Sequence, residues 1–194
     1  MAALIALFGL LIGATVCDLG WRRLPNRLTY GGMGAAVLLA IAETALRPEK
    51  TTGWWGAALG EISPLAVVGW GDSLLGLAVC GGIMVACYVV FGEGGGDVKL
   101  LAMIGAFLGP FDGVLVMLWT FTLGASLAIV TLLWSVGAVE LVRRIGRAAR
   151  RYVRTGSRDV MNEEERKLLK AKLLVAAPAL VATVLVVFRM SDWL

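Results

Sequence analysis

The sequence of 194 residues has no histidine, only three cysteines and only 16% charged residues. Without an imidazole, the chain cannot use a Ser-His catalytic pair, an H-E-x-x-H zinc site or a histidine proton relay. Cys17, Cys80 and Cys87 lie in apolar runs and form no C-x-x-C pair. They therefore predict neither a zinc knuckle nor a disulfide, and we interpret them as apolar core residues. The low charge also excludes a disordered chain.

What the chain has in abundance is apolar sequence, because 59% of its residues are hydrophobic. A soluble domain of this length cannot bury so much apolar surface, whereas helices in lipid do not need to bury it. We therefore predict an all-α, polytopic membrane protein that forms a single membrane-embedded domain over residues 1–194. Hydropathy places about six spans of uneven length, and the first has 16 residues and the fourth 14, against the roughly 20 that cross a bilayer. The predicted spans are 2–17, 28–46, 73–91, 98–111, 114–139 and 173–188.

The connections between these spans carry local signals. Gly109 and Pro110 end the fourth run, and the Asp112-Gly113 pair has turn chemistry, so we predict a tight hairpin into the fifth helix. An outer loop is expected over 47–72, with Trp54, Trp55 and Trp70 as interface anchors. No signal-peptide cleavage pattern follows the first run, which should remain as a helix.

The lysines and arginines predict the orientation. All but three of the 18 lie in the segments 18–27, 92–99 and 140–172. If all six runs cross the membrane, these three segments lie on the same side of it. The positive-inside rule assigns that side to the cytoplasm and so predicts that the N-terminus is outside. The segment 140–172 has arginines at helical spacing and predicts a basic helix on anionic lipid headgroups. Nucleic-acid binding is the alternative, but it is disfavoured because Tyr152 has no interleaved aromatic neighbours.

Two aspartates stand at the ends of spans, where a carboxylate is costly. Asp18 ends the first span, and Asp97 follows the glycines Gly94, Gly95 and Gly96 at the start of the fourth. The orientation from Lys and Arg alone places both at the cytoplasmic border. The other carboxylates near span ends or loops are expected to be solvated: Glu43, Glu61, Asp72, Glu93, Asp112, Glu140 and Asp192.

A pair of carboxylates at one depth predicts aspartic-protease chemistry, in which they share one proton and activate water without a metal or cofactor. The three glycines would let an extended peptide approach Asp97, because glycine permits φ > 0 and close backbone contact. Alternatives stay open for each residue alone. Asp97 could cap a helix that begins at Val98, and Asp18 could cap its own helix with Arg22 or Arg23 as its partner. Lys99 is interpreted as a snorkelling cation.

The segments D-L-G-W-R-R-L-P-N at 18–26 and G-G-G-D-V-K-L-L-A at 94–102 resemble those of the prepilin peptidases, a family of G-x-G-D membrane aspartyl proteases. The family has isoleucine where this chain has Leu24. The resemblance implies that Asp18 and Asp97 are the catalytic pair. It also implies supporting roles for the motif residues, which are Pro25, Asn26, Gly94, Gly96 and Lys99.

The resemblance implies an activity as well. Such an enzyme removes the leader peptide from type IV prepilin or pseudopilin precursors at the cytoplasmic face of the bacterial inner membrane. Larger members also methylate the new N-terminus and carry a cytoplasmic loop with paired C-x-x-C motifs, which this chain lacks. The resemblance is therefore to the minimal, peptidase-only form, with the precursor and membrane lipids as partners and no nucleic acid.

Two other functions remain compatible with the sequence. A transporter or channel subunit could bind a cation at Asp97 in an interrupted span, although the halves of the chain show no convincing internal repeat. An inactive scaffold of a pilus or secretion machine is the third possibility.

Overall fold

The apolar runs of the sequence fold as α-helices. A computed structural model of the chain describes residues 2–21, 25–46, 51–52, 67–91, 95–136, 143 and 175–188. In these ranges the helices are α1 (Ala2–Trp21), α2 (Asn26–Leu46), α3 (Trp70–Phe91), α4 (Gly95–Leu108), α5 (Pro110–Val136) and α6 (Ala176–Val187). Two short strands, β1 (Thr51–Thr52) and β2 (Val67–Val68), pair in parallel, with Thr51 opposite Val67 and Thr52 opposite Val68. The predicted all-α, polytopic fold is confirmed.

Four of the helices are long and apolar enough to cross a membrane: residues 2–20, 26–46, 70–90 and 110–131. The other two are shorter, because α4 has 14 residues and α6 has 12. The total number of crossings and the outer position of the N-terminus stay predictions.

The short helix α4 is the core of the first of two units, which comprises residues 1–121 and 174–194. It packs against α1, α2, α3 and α6. Every residue from Leu100 to Phe107 is buried, so this helix is apolar on all sides and is surrounded by protein. A helix in that position does not need the length that contact with lipid on both membrane faces would require.

Glycines bring α3 and α4 into backbone contact. A Cβ on Gly76 of α3 would run into the carbonyl oxygen of Gly105 on α4, and a Cβ on Gly105 would lie 2.7 Å from the Cys80 sulfur. Next to this crossing, the buried Ser73 hydroxyl donates a hydrogen bond of 2.7 Å to the carbonyl of Ala106. Cys80 is buried as a core residue, whereas Cys17 and Cys87 are half-buried.

The turn between α4 and α5 is shorter than predicted. Gly109 alone separates the two helices, and its φ of +84° lies in the left-handed region that glycine tolerates. Pro110 then opens α5, where its fixed φ suits the first helical position and its missing N–H is not needed. The turn role given to Asp112 and Gly113 is therefore wrong, because both lie in the first turns of α5.

The loop predicted over 47–72 ends earlier, before Trp70. Helix α3 begins at Trp70, so Trp70 and Asp72 belong to its first turn, and Asp72 is half-buried. An acidic residue is favourable there, because it faces the positive end of the helix dipole. Trp54 and Trp55 lie outside the described residues.

The second unit comprises residues 122–173, of which the structure describes 122–136 and Arg143. Its described part contains the rest of α5, which exposes large apolar side chains such as Leu127, Ile129 and Trp134. Exposed apolar side chains on a helix of this length are typical of a lipid-facing surface. Apart from Arg143, the basic segment 140–172 lies outside the described residues.

Candidate active site

Asp97 lies in the first turn of α4 and is half-buried. The helix begins at Gly95 rather than at Val98, so Asp97 is inside the helix and not its N-cap. A carboxylate in this turn is stabilised by the helix dipole and by backbone N–H groups that have no partner within the helix.

The glycines before Asp97 differ from the predicted loop. Gly95 and Gly96 are helical, and among the described glycines only Gly109 has a positive φ. Gly94 lies outside the described residues. Gly95 is exposed, and a Cβ placed on it would have no other described atom within 4 Å. The backbone in front of Asp97 is therefore open at this point.

Asp18 lies in the last turn of α1 and is half-buried. Its Oδ2 accepts a hydrogen bond of 3.3 Å from the backbone N–H of Ala176, the first residue of α6. Arg22 and Arg23, the partners considered for Asp18, lie outside the described residues. The partner that the structure gives to this carboxylate is thus the backbone of a helix distant in sequence.

Lys99 joins the two sequence motifs. Its ammonium donates a hydrogen bond of 2.8 Å to Oδ1 of Asn26, the first residue of α2. The same nitrogen lies 4.8 Å from the centroid of the Tyr30 ring, which is within cation–π range. Pro25 precedes this helix and is exposed, and its carbonyl accepts hydrogen bonds from the N–H groups of Leu28 and Thr29. Lys99 is therefore a link between α4 and α2 as well as a cation at the end of its helix.

These contacts place both aspartates at one end of the first unit. The C-terminal end of α1, with Asp18, meets the start of α6. The start of α4, with Asp97 and Lys99, meets the start of α2, which follows α1 in the chain. Helix α1 also packs against α4. The helix ends that carry the two predicted catalytic residues thus share one side of the helix group, and the catalytic roles themselves stay predictions.

Sequence reasoning missed three contributors to this end of the molecule. Tyr30 supplies the ring beneath Lys99. The Thr15 hydroxyl donates to the carbonyl of Leu11 at 2.8 Å and lies 3.4 Å from the carbonyl of Ala176. Thr15 could have been identified from the sequence, because a hydroxyl three residues before Asp18 lies on the same helix face. Ala176 could not, since it contributes backbone atoms that every residue carries. In the described residues, no three Cys, Asp or Glu side chains gather as a metal-ligand set would.

The Lys99–Asn26 contact leads to a measurable coupling. We expect Lys99→Met to lower the free energy of unfolding in detergent by about 0.5–1 kcal/mol, because the bond is charge-assisted but solvent-exposed. Asn26→Ala should cost a similar amount. In the double variant the effects should not add, leaving a coupling energy of about 0.5 kcal/mol. Strict additivity would show that the two side chains do not interact in solution.

Comparison with known proteins gives a match to a protein family. A model of the type IV leader peptidase family matches residues 5–129, which is more than half of the chain. The matched part contains both predicted catalytic aspartates, Lys99 and Asn26, and it ends within α5, so α6 lies beyond it. No curated protein and no solved structure matches the chain.

Proposed function

The chain belongs to the type IV leader peptidase family, and from this premise we propose that it is an aspartic endopeptidase that removes leader peptides from prepilin or pseudopilin precursors. The observation that carries the proposal is the position of Asp18 and Asp97 on helix ends at one side of the helix group, within the matched part of the chain. The family and the fold by themselves show a peptidase with several helices long and apolar enough to cross a membrane.

The proposed mechanism uses the two carboxylates as one unit. In this mechanism one carboxylate is charged and the other is protonated, as in other aspartic proteases. The charged carboxylate takes a proton from a bound water, and the water oxygen attacks the scissile carbonyl. The protonated carboxylate donates its proton to the carbonyl oxygen. The tetrahedral intermediate then collapses, the C–N bond breaks, and the leaving amine takes up the proton. No covalent enzyme intermediate forms.

The substrate's membrane anchor supplies its orientation. When the apolar helix of a precursor lies in lipid, the peptide that precedes this helix is held at the membrane border. A charged group at a helix end is also favoured there. The exposed backbone at Gly95 leaves room for an extended chain beside Asp97. The excess of Lys and Arg in the predicted inner segments favours the cytoplasmic face of a bacterial inner membrane for this site.

The test is cleavage by the purified protein in liposomes. The substrate is a synthetic precursor with a basic leader, a glycine and an apolar helix, and mass spectrometry locates the cut. We expect one cut, at the junction of leader and helix, with turnover that stays within about twofold in EDTA, because the dyad activates water without a metal. A precursor with its apolar helix replaced by a polar sequence is the control and should be cleaved poorly.

Two outcomes would contradict the proposal. Loss of activity in EDTA that zinc restores would point to metal-dependent hydrolysis. A correctly inserted wild-type protein that leaves the precursor intact but passes cations across the liposome membrane would support the transporter alternative.

A further inference from the structure

Helix α6 reaches Asp18 although it lies far from it in sequence and outside the family match. Ala176, the first residue of α6, is fully buried and contacts two side chains of α1. Its N–H donates to Asp18 Oδ2 at 3.3 Å. Its carbonyl lies 3.4 Å from the Thr15 hydroxyl, whose one proton is shared with the carbonyl of Leu11 at 2.8 Å. The backbone of one residue thus meets side chains one helical turn apart.

The start of α6 has few hydrogen-bonding alternatives. Its N-cap residue is Val175, which has no side chain able to cap the helix, and Pro178 has no N–H to donate. Ala179 donates the first bond within the helix, to the carbonyl of Val175. Of the N–H groups in this first turn, that of Ala176 is therefore the one satisfied by a carboxylate from another helix.

This contact constrains the Asp18 carboxylate. The torsion that rotates a carboxylate about its last bond is broad, so a lone aspartate samples many orientations. A donor on the buried backbone of Ala176 restricts that freedom. With Oδ2 bound to α6, Oδ1 is the oxygen that this contact leaves for proton transfer.

We propose that Ala176 is a positioning residue for Asp18: its backbone N–H orients the carboxylate for proton transfer, and the contact of its carbonyl with the Thr15 hydroxyl supports this arrangement. This inference rests on the proposed function, since it assumes that Asp18 takes part in peptide cleavage. It extends the active site to a helix beyond the residues matched by the family model.

The test compares two variants with matched controls in the full chain, using the reconstituted precursor assay. Thr15→Val removes the hydroxyl at constant shape. Its control is Thr44→Val, which also loses a half-buried hydroxyl bonded to the carbonyl four residues before it. Ala176→Pro removes the N–H at a first helical position, where proline is accepted. Ala176→Val adds the same number of carbon atoms but keeps the N–H, so the difference between the two variants separates loss of the N–H from crowding at this buried site.

We expect Thr15→Val to lower kcat about threefold to tenfold and Ala176→Pro to lower it about tenfold or more, because a misplaced catalytic group slows the chemical step. KM should stay within about twofold of the wild-type value, since neither residue touches the substrate. Thr44→Val should keep nearly the wild-type kcat, and Ala176→Val should keep a higher kcat than Ala176→Pro. A residue that only stabilises the fold would change thermal stability without this separation of kcat from KM.

The proposal is overturned if Thr15→Val and Thr44→Val have the same kcat, or if KM rises while kcat is unchanged. It is also overturned if Ala176→Val loses as much kcat as Ala176→Pro, because crowding would then explain the loss. Proline disfavours the helical conformation of Val175, so if Ala176→Pro does not insert, the threonine pair decides the question. Failure of the proposed function looks different: the wild type would not cleave, or Asp18→Asn would keep its turnover.

Discussion

Replacing either Asp18 or Asp97 with Asn will lower turnover of the reconstituted precursor by a factor on the order of 10³ or more, while insertion and expression stay unchanged. Asparagine keeps the shape of the side chain but can neither take up a proton from water nor share one with a partner carboxylate. Because the two residues act as one unit, the double variant should lose little more than either single variant. Single-turnover cleavage, followed by mass spectrometry, measures all three rates.

The matched control for these variants is Asp112→Asn. Asp112 is also a half-buried aspartate in the first turn of its helix, but it follows the C-terminal end of α4, whereas Asp97 is at the N-terminal end. Its replacement should leave turnover within about twofold of the wild-type value. If the Asp18 or the Asp97 variant retains most of the wild-type rate, the dyad assignment is wrong.

A second large effect is expected where α3 crosses α4. Gly76→Ala should destabilise the protein by about 1–3 kcal/mol, because its new methyl group would collide with the backbone of Gly105 and the helices would have to separate. Backbone atoms cannot rotate away as a side chain can. Since α4 carries Asp97, turnover should fall as well. Unfolding in detergent by a chemical denaturant, followed by tryptophan fluorescence, gives the change in free energy.

Gly82→Ala in the same helix is the control, because a Cβ at Gly82 meets no described atom within 4 Å. It should be neutral or stabilising by up to about 1 kcal/mol, as alanine favours a helix over glycine. Equal stability of the Gly76 and Gly82 variants would show that the two helices are not in backbone contact.

The positions of the two aspartates were the most predictable part of the molecule. Hydropathy runs mark where helices end, and Lys and Arg mark which ends share a side, so Asp18 and Asp97 could be assigned to one border without any contact information. The contacts themselves could not be predicted. The hydrogen bond from Ala176 to Asp18 uses a backbone N–H, and the crossing at Gly76 depends on which glycines face each other after folding.

The turn and the loop on either side of α4 were predicted at the wrong residues. Gly109 and the Asp112-Gly113 pair both have turn chemistry, and Gly109 takes the turn because Pro110 after it is suited to start a helix. A loop was predicted at Gly95 and Gly96, but both residues are helical. The acidic side chain of Asp97 in the first turn stabilises a helix that begins before it.

The single-residue connection at Gly109 also bears on biogenesis. Helix α4 has 14 residues and carries Asp97 and Lys99 near its start, so it is a poor candidate for independent release from a translocon into lipid. A connection of one residue between α4 and α5 is too short for the two helices to insert separately. We therefore expect α4 and α5 to insert together, with α4 taking its place among helices that were synthesised before it.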